Sequence, residues 1–63
     1  MKLKLYNPYI GNEIVVEESE AYYESELQRV YDKEVDFIML TDANTNKTIT
    51  LRPSNWAMIE VEE

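Results

Sequence analysis

The chain lacks the two residue types that most often hold a very small domain together. Its 63 residues include no cysteine and no histidine, so disulfides, thiolate metal sites and imidazole ligands are all excluded. A chain of this length buries only about 60% of the surface that its unfolded form exposes. The fold must therefore depend on one well-packed core, in a single domain of residues 1–63, or on self-association.

The negative charge is concentrated between Glu13 and Asp36. The whole chain has a net charge of −7, and this stretch alone holds nine acids against two bases. Hydrophobic residues still make up 44% of the chain, which is too many for a disordered acidic tail. The charge predicts repulsion of nucleic acid as a direct ligand and attraction to a basic protein surface.

The sequence has no feature that indicates membrane insertion or export. No apolar run approaches the roughly 18 residues that a membrane-spanning helix needs. The first residues, Met-Lys-Leu-Lys-Leu-Tyr, contain no apolar signal core followed by a small-residue cleavage site. We expect a soluble, cytoplasmic protein that has no membrane contact and needs no cofactor.

The first third predicts a loose β-hairpin. Lys2–Tyr6 alternates polar and apolar residues with period two, which predicts a strand with Leu3 and Leu5 facing inward. Gly11 is the only glycine and predicts a turn. Glu13–Glu17 is rich in β-branched residues and predicts the second strand.

The middle of the chain predicts a helix over roughly 20–33. Four residues recur at the spacing of one helical face: Tyr23, Leu27, Val30 and Tyr31. We expect both tyrosines of this set to face the core. Ser25 and Gln28 have capping-box spacing, so the helix could begin there rather than at Ser19. In a rival interpretation, Glu20–Ser25 extends as a strand.

The last third predicts three strands and two turns, in the order strand 36–41, polar turn 42–47, strand 48–52, single turn 53–55 and strand 57–61. The first of these strands is apolar on both faces, as is typical of a central strand. Ile49 and Leu51, and later Ile59 and Val61, are expected to face inward. This order resembles the closing half of small SH3-like and Sm-like barrels over residues 36–62. The expected class is α+β and β-rich: a small antiparallel sheet or partial barrel of 4–5 strands with one acidic helix.

A calcium site and a catalytic site are both poorly supported. Asp42, Asn44 and Asn46 repeat the first ligand positions of an EF-hand loop, but Lys47 and Pro53 stand where that loop needs glycine and glutamate. Asx residues are also the usual content of a hairpin turn, so a turn without metal is expected. Nucleophilic catalysis needs a base, and the usual imidazole is absent. We therefore expect no enzyme.

The candidate partner-binding residues are acidic or aromatic: Glu17, Glu18, Glu20, Tyr22, Glu24, Glu26 and Trp56. Tyr22 is predicted to point outward among acids, an arrangement that suits contact with a basic, partly apolar surface. Trp56 is expected either to cap one end of the core or to anchor an interface.

Two classes of function follow. The favoured one is a non-enzymatic interaction protein that presents an acidic face to a basic protein partner; in a specific form it is a nucleic-acid-mimicking inhibitor of a nucleic-acid-binding enzyme. Very short, acidic, cysteine-free chains of this kind are similar to bacteriophage inhibitors. The alternative is a structural or assembly subunit, a homo-oligomer in which sheet edges at Leu3–Tyr6 or Ala57–Val61 pair.

Overall fold

The computed structural model describes residues 1–8 and 10–62, and within them the chain forms five strands, one α-helix and one 3₁₀ turn. In chain order these are β1 (Lys2–Asn7), β2 (Ile10–Val15), α1 (Glu20–Tyr31), β3 (Ile38–Thr41), β4 (Thr48–Leu51), η1 (Pro53–Asn55) and β5 (Met58–Glu62). The predicted α+β, β-rich class with one helix is confirmed. No helix among the described residues is long and apolar enough to cross a membrane.

The first sheet has three antiparallel strands in the order β2-β1-β5. Leu3 and Leu5 in β1 are 0% and 4% exposed, which confirms their predicted inward orientation. The predicted sheet edge at Leu3–Tyr6 is wrong, because β1 is the middle strand and has a neighbour on each side. The other proposed edge, at Ala57–Val61, corresponds to β5, which lies at the margin of this sheet.

Gly11 lies inside a strand, so the turn predicted there is wrong. β2 begins at Ile10, three residues before the predicted start, and the φ angle of Gly11 is not positive. A Cβ atom at Gly11 would lie only 3.3 Å from Cε1 of Tyr6, the residue directly opposite in β1. A larger residue at this position would therefore require the Tyr6 ring to shift by a few tenths of an ångström.

The second sheet is the antiparallel hairpin of β3 and β4. In its turn, Oδ1 of Asp42 accepts hydrogen bonds from the backbone N–H groups of Asn44 (2.7 Å) and Thr45 (3.1 Å). Asn46 adopts a left-handed conformation with φ of 61°, which asparagine tolerates better than most residues. The predicted polar turn is confirmed, and its aspartate stabilises the backbone.

The prediction that the strand at 36–41 is buried on both faces is wrong. Ile38 and Leu40 are 0% and 1% exposed, whereas Phe37 and Met39 are 39% and 47% exposed. Only one face of the hairpin packs against the rest of the molecule, so alternate side chains remain in solvent. In β4 the inward orientation is confirmed: Leu51 is buried and Ile49 is half-buried.

The two sheets are joined at one corner by a bridge between Val16 and Asp42. On either side of the bridge, the N–H of Glu17 donates to the carbonyl of Thr41 (3.0 Å) and the N–H of Ala43 donates to the carbonyl of Val15 (2.9 Å). The strands therefore follow one another around a shared core, in the spatial order β5, β1, β2, β3, β4.

The helix begins at Glu20, so a start at Ser25 and an extended segment at 20–25 are both wrong. Ser19 is the N-cap, and its hydroxyl oxygen accepts a hydrogen bond from the N–H of Tyr22 at 3.2 Å. This bond satisfies one of the N–H groups that the first helical turn leaves without a partner.

The helix ends at Tyr31, two residues before the predicted end. Lys33 adopts the left-handed conformation with φ of 62°. Its N–H donates to the carbonyl of Val30, and the N–H of Glu34 donates to the carbonyl of Arg29, both at 3.0 Å. This pair of hydrogen bonds is a Schellman motif, which satisfies the last carbonyls of a helix and prevents its continuation.

Among the residues that the structure describes, the core consists of seven buried side chains from the two sheets, the connection and the helix: Leu3, Leu5, Val16, Tyr23, Ile38, Leu40 and Leu51. Tyr23 is the helix's fully buried contribution at 3% exposure, but Tyr31 is 69% exposed. The predicted core position of Tyr31 is wrong, because eight residues turn a helix about 80° beyond two full turns. Ile59 and Val61 of β5 pack against the core as half-buried residues, which confirms their inward orientation.

Candidate partner-binding surface

The acids of α1 are divided between two flanks of the helix and do not form one outward face. Successive residues are separated by about 100° around a helix axis. With Tyr23 directed into the core, Glu20 and Glu24 lie on one flank and Glu26 lies on the other. The side opposite the core carries small or neutral residues, all of them exposed: Ala21, Ser25 and Gln28.

Glu18 is tied to the end of β3. Its Oε1 atom accepts a hydrogen bond from the backbone N–H of Thr41 at 2.8 Å. Partial burial raises the pKa of Glu18, but the hydrogen bonds from Thr41 outweigh it, so the pKa lies below its usual value. This carboxylate therefore stabilises the fold by holding the end of β3, and the binding role predicted for Glu18 stays a prediction.

Tyr22 is also engaged with β3. It is 38% exposed, as expected for an outward residue, but its hydroxyl donates a hydrogen bond to the carbonyl of Met39 at 3.0 Å. Together, Glu18 and Tyr22 satisfy backbone groups of β3 on the side away from β4. The start of α1 thus covers a strand edge that would otherwise be unpaired.

Glu26 forms an ion pair within the same flank. The Nη1 atom of Arg29 lies 3.1 Å from Oε2 of Glu26, and Nε of Arg29 lies 3.4 Å from Oε2 of Glu34. One guanidinium thus balances part of the charge of two carboxylates. The flank that faces β3 is consequently less negative than its acid content indicates.

Of the remaining acids of the predicted set, Glu20 and Glu24 lie on the other flank of α1, whereas Glu17 precedes the helix. Glu17 and Glu24 are exposed, and Glu20 is half-buried in the first turn of α1. Glu24 borders a groove between α1 and β5. Of the predicted acidic residues, Glu24 is therefore the one that the fold brings beside a concave surface.

This concave surface, which we call the α1–β5 groove, is lined mainly by apolar residues. Its volume is about 520 Å³, and its lining includes Leu27, Val30, Tyr31, Trp56, Ile59 and Val61. Tyr31 and Met58, at 69% and 50% exposure, leave large apolar surfaces at its margin. The described residues that line it include one acid, Glu24, and no base.

Trp56 lies at the boundary between the α1–β5 groove and a second cleft. That cleft has a volume of about 410 Å³ and extends from Leu5 and Ile14 to Leu51 and Arg52. Trp56 is half-buried and packs against the core. It thus caps the core, as one prediction stated, while it also presents an indole surface to both clefts.

β5 lines the α1–β5 groove with Met58, Ile59 and Val61, and it also has an open edge. Within residues 1–8 and 10–62, β5 pairs with β1 along one edge, and no strand pairs with its other edge. The structure thus places three features side by side: an apolar groove, an exposed carboxylate at its rim and the unpaired backbone of a strand.

The geometry offers little for metal binding. Among the described residues, no group of three or more acids is arranged to hold a metal ion. Oδ1 of Asp42, the first residue of the EF-hand-like pattern, already accepts two backbone hydrogen bonds.

Sequence reasoning missed the groove residues Tyr31, Met58 and Leu27 as candidate contacts. The groove exists only because α1 crosses near β5, and these elements lie far apart in the chain. A usable signal was the angular position of Tyr31, because the spacing places it about 80° away from Tyr23 around the helix axis, at the margin of the buried face.

Comparisons of the chain with protein-family models, with curated proteins and with solved structures give no match. The resemblance of residues 36–62 to SH3-like and Sm-like barrels therefore rests on element order alone, and it stays a prediction.

Proposed function

We propose that the protein is a non-enzymatic interaction protein that binds a basic protein partner through the α1–β5 groove and the acidic flank beside it. The observation that carries this proposal is the position of Glu24 at the rim of an apolar groove whose described lining contains no base. Apolar lining supplies most of the binding free energy at such surfaces, while charge at the rim selects the partner and accelerates association.

The rigid attachment of α1 supports a preformed surface. Tyr23 anchors the helix in the core, and Glu18 and Tyr22 hold its start against β3. A surface that needs no rearrangement loses less entropy on binding than a flexible one. A basic protein partner therefore meets a fixed arrangement of carboxylate and apolar groups.

The test is affinity capture from an extract of the native host with three forms of the full chain. One variant combines Glu20→Gln with Glu24→Gln, the two acids on the flank of α1 beside the groove. The matched control combines Glu13→Gln with Asp36→Asn, which removes the same charge away from the groove. A partner should be retained by the wild type and the control and lost by the Glu20/Glu24 variant. Equal loss with both variants would show that only bulk charge matters and would contradict the proposal.

Salt dependence gives a second criterion. The Debye length falls from about 10 Å at 0.1 M salt to about 3 Å at 1 M, so capture should weaken steeply over this range. If the partner is a nucleic-acid-binding enzyme, as the mimic form of the proposal requires, duplex DNA or RNA should displace it from the protein. Capture that is unaffected by competing nucleic acid eliminates the mimic form but not the broader proposal.

A homo-oligomeric assembly subunit is the second candidate, and the open edge of β5 is the observation that favours it. A sheet edge with unpaired N–H and C=O groups can pair with the same edge of another copy. Light scattering that gives a defined oligomer at both low and high salt would support this candidate and would count against the first.

A further inference from the structure

We propose that the partner contributes an extended segment of alternating basic and apolar residues, which adds to the open edge of β5 as an antiparallel strand. This inference rests on the proposed function and specifies its mode of recognition. Strand addition of this kind takes affinity from backbone hydrogen bonds and specificity from alternate side chains.

The register identifies which backbone groups face the open edge. Met1 and Val16 exchange both of their backbone hydrogen bonds, at 3.1 and 2.9 Å, so the odd-numbered residues of β1 bond to β2. The even-numbered residues must then bond to β5, because hydrogen-bonded pairs alternate along an antiparallel strand. Their partners in β5 are the even-numbered residues Met58, Glu60 and Glu62. Ile59 and Val61 therefore direct their N–H and C=O groups to the open edge.

The opposite edge of β5 shows which side chains this strand accepts. There β1 supplies the sequence Lys-Leu-Lys-Leu: Lys4 lies opposite Glu60 and Leu3 lies opposite Val61. Lys4 also pairs with Glu62 across 3.3 Å, and the hydrogen bond that its ammonium donates to this carboxylate raises the pKa of Lys4. Opposite charges across a sheet stabilise the pairing. The open edge presents the same alternation of side chains, so it fits a second segment with the same pattern.

The α1–β5 groove would receive the apolar side chains of such a segment. Ile59 and Val61 face this groove, and Leu27 and Val30 of α1 line its other side. Residues of an added strand that lie beside Ile59 and Val61 point to the same face of the sheet. The alternate residues lie beside Glu60 and Glu62 on the outer face, where a lysine or arginine is favoured.

A second copy of this chain fits the edge less well. In an antiparallel β5–β5 pair, the register that uses all five residues of the strand places Glu60 directly opposite Glu60. Like charges directly opposite each other destabilise a strand pair, and each copy carries a net charge of −7. Charge complementarity therefore favours a basic segment from a different protein.

The test uses two synthetic hexapeptides with acetylated and amidated ends: Lys-Val-Lys-Val-Lys-Val and Lys-Lys-Lys-Val-Val-Val. Their composition and charge are identical, but only the first can place all its valines on one face of a strand. By titration calorimetry with the full chain, we expect the alternating peptide to bind about tenfold more tightly. Equal affinities would refute strand addition while leaving charge-based partner binding intact. If neither peptide binds, strand addition is refuted as well. The capture experiment then tests the proposed function independently.

Backbone methylation of the peptide tests the hydrogen bonds without changing the protein. In an antiparallel pair the valines, beside Ile59 and Val61, donate to the edge, so N-methylation of the valines should abolish the preference for alternation. N-methylation of the lysines should leave it unchanged. Equal effects of the two methylation patterns would overturn the proposed pairing.

A pair of protein variants gives an independent check. Val61→Pro removes an N–H from the open edge, whereas Val61→Ala keeps the N–H and removes apolar bulk. The preference for the alternating peptide should disappear with the first variant and persist with the second. If Val61→Pro does not fold, amide hydrogen exchange replaces it: the peptide should protect the amides of Ile59 and Val61, and unchanged exchange there contradicts strand addition.

Discussion

β3 and β5 each have an edge that is not paired with another full strand. The two edges differ in whether side chains of the same molecule form hydrogen bonds with their backbone groups. At β3, the carboxylate of Glu18 accepts from the N–H of Thr41 and the hydroxyl of Tyr22 donates to the carbonyl of Met39. At β5, no described side chain forms such a hydrogen bond with the outward backbone N–H and C=O groups of Ile59 and Val61. Unpaired edges promote association with other chains, and natural proteins usually block them. This difference is consistent with the strand addition that we propose for β5.

The largest effect is expected from Tyr23→Ala, which detaches the helix that covers β3. Tyr23 is 3% exposed, and removal of a buried aromatic side chain costs about 3–5 kcal/mol. Tyr31→Ala is the matched control, because Tyr31 is 69% exposed and should change stability by less than about 0.5 kcal/mol. Urea unfolding of both variants measures the difference. Similar losses would mean that the two tyrosines anchor the helix equally.

The next largest effect on stability is expected from proline substitutions at two adjacent positions of β5. Glu60→Pro removes an N–H that faces β1, so the carbonyl opposite loses its donor. Val61→Pro removes one that faces the open edge, where proline is tolerated. We expect Glu60→Pro to be less stable by about 2 kcal/mol. Chemical denaturation measures both variants, and equal stabilities would mean that the assignment of the two backbone edges is wrong.

A smaller effect is expected when the carboxylate at β3 is removed. Glu18→Ala should lower the free energy of unfolding at pH 7 by about 1–2 kcal/mol, because the Thr41 N–H loses a charged acceptor. Glu17→Ala controls for the loss of one acidic charge.

The destabilisation caused by Glu18→Ala is also expected to depend on pH. Because the pKa of Glu18 is lower in the folded protein than the ordinary value of 4.5, its contribution is fully present above that value. It is lost as the pH falls through the folded-state pKa. The stability difference between wild type and Glu18→Ala should therefore shrink on acidification below about pH 4.5. A difference that stays constant down to pH 2 contradicts the role of the charge.

The smallest effect concerns the hydroxyl of Tyr22. Tyr22→Phe removes its hydrogen bond to Met39 and should cost about 0.5–1 kcal/mol, since the carbonyl is near solvent and water can replace the donor. Tyr31→Phe is the control, because no hydrogen bond of that hydroxyl is described. Thermal unfolding of the two variants provides the comparison, and identical midpoints would remove Tyr22 from the cover of β3.

The strands were predictable where one face is buried, because alternation reports local geometry directly. β1 and β5 are examples, with Leu3, Leu5, Ile59 and Val61 all facing inward. Gly11 was misinterpreted because its constraint comes from the Tyr6 ring on a neighbouring strand. The end of α1 was placed too late because the left-handed conformation of Lys33 has no signature in that residue type.

The candidate surface was only partly predictable, for a related reason. Composition identified the acidic residues, but their roles depend on which backbone or side chain lies beside each one. Glu18 and Glu26 are engaged inside the molecule, whereas Glu24 lies at a groove that forms only when distant elements meet. Such tertiary contacts cannot be derived from spacing along the chain.

The pairing of β1 with β5 also brings the two ends of the described chain together. Lys2 lies directly opposite Glu62, so the fold closes a loop that contains nearly all of the described residues, at an entropic cost of about 3–4 kcal/mol before any constant term. The two hairpins close much shorter loops and should form first. A circular permutant that joins these ends through a short linker and opens at the 42–47 turn should keep the same fold. In this permutant the pairing of β1 with β5, which is the slowest contact to form in the original chain, becomes a local contact.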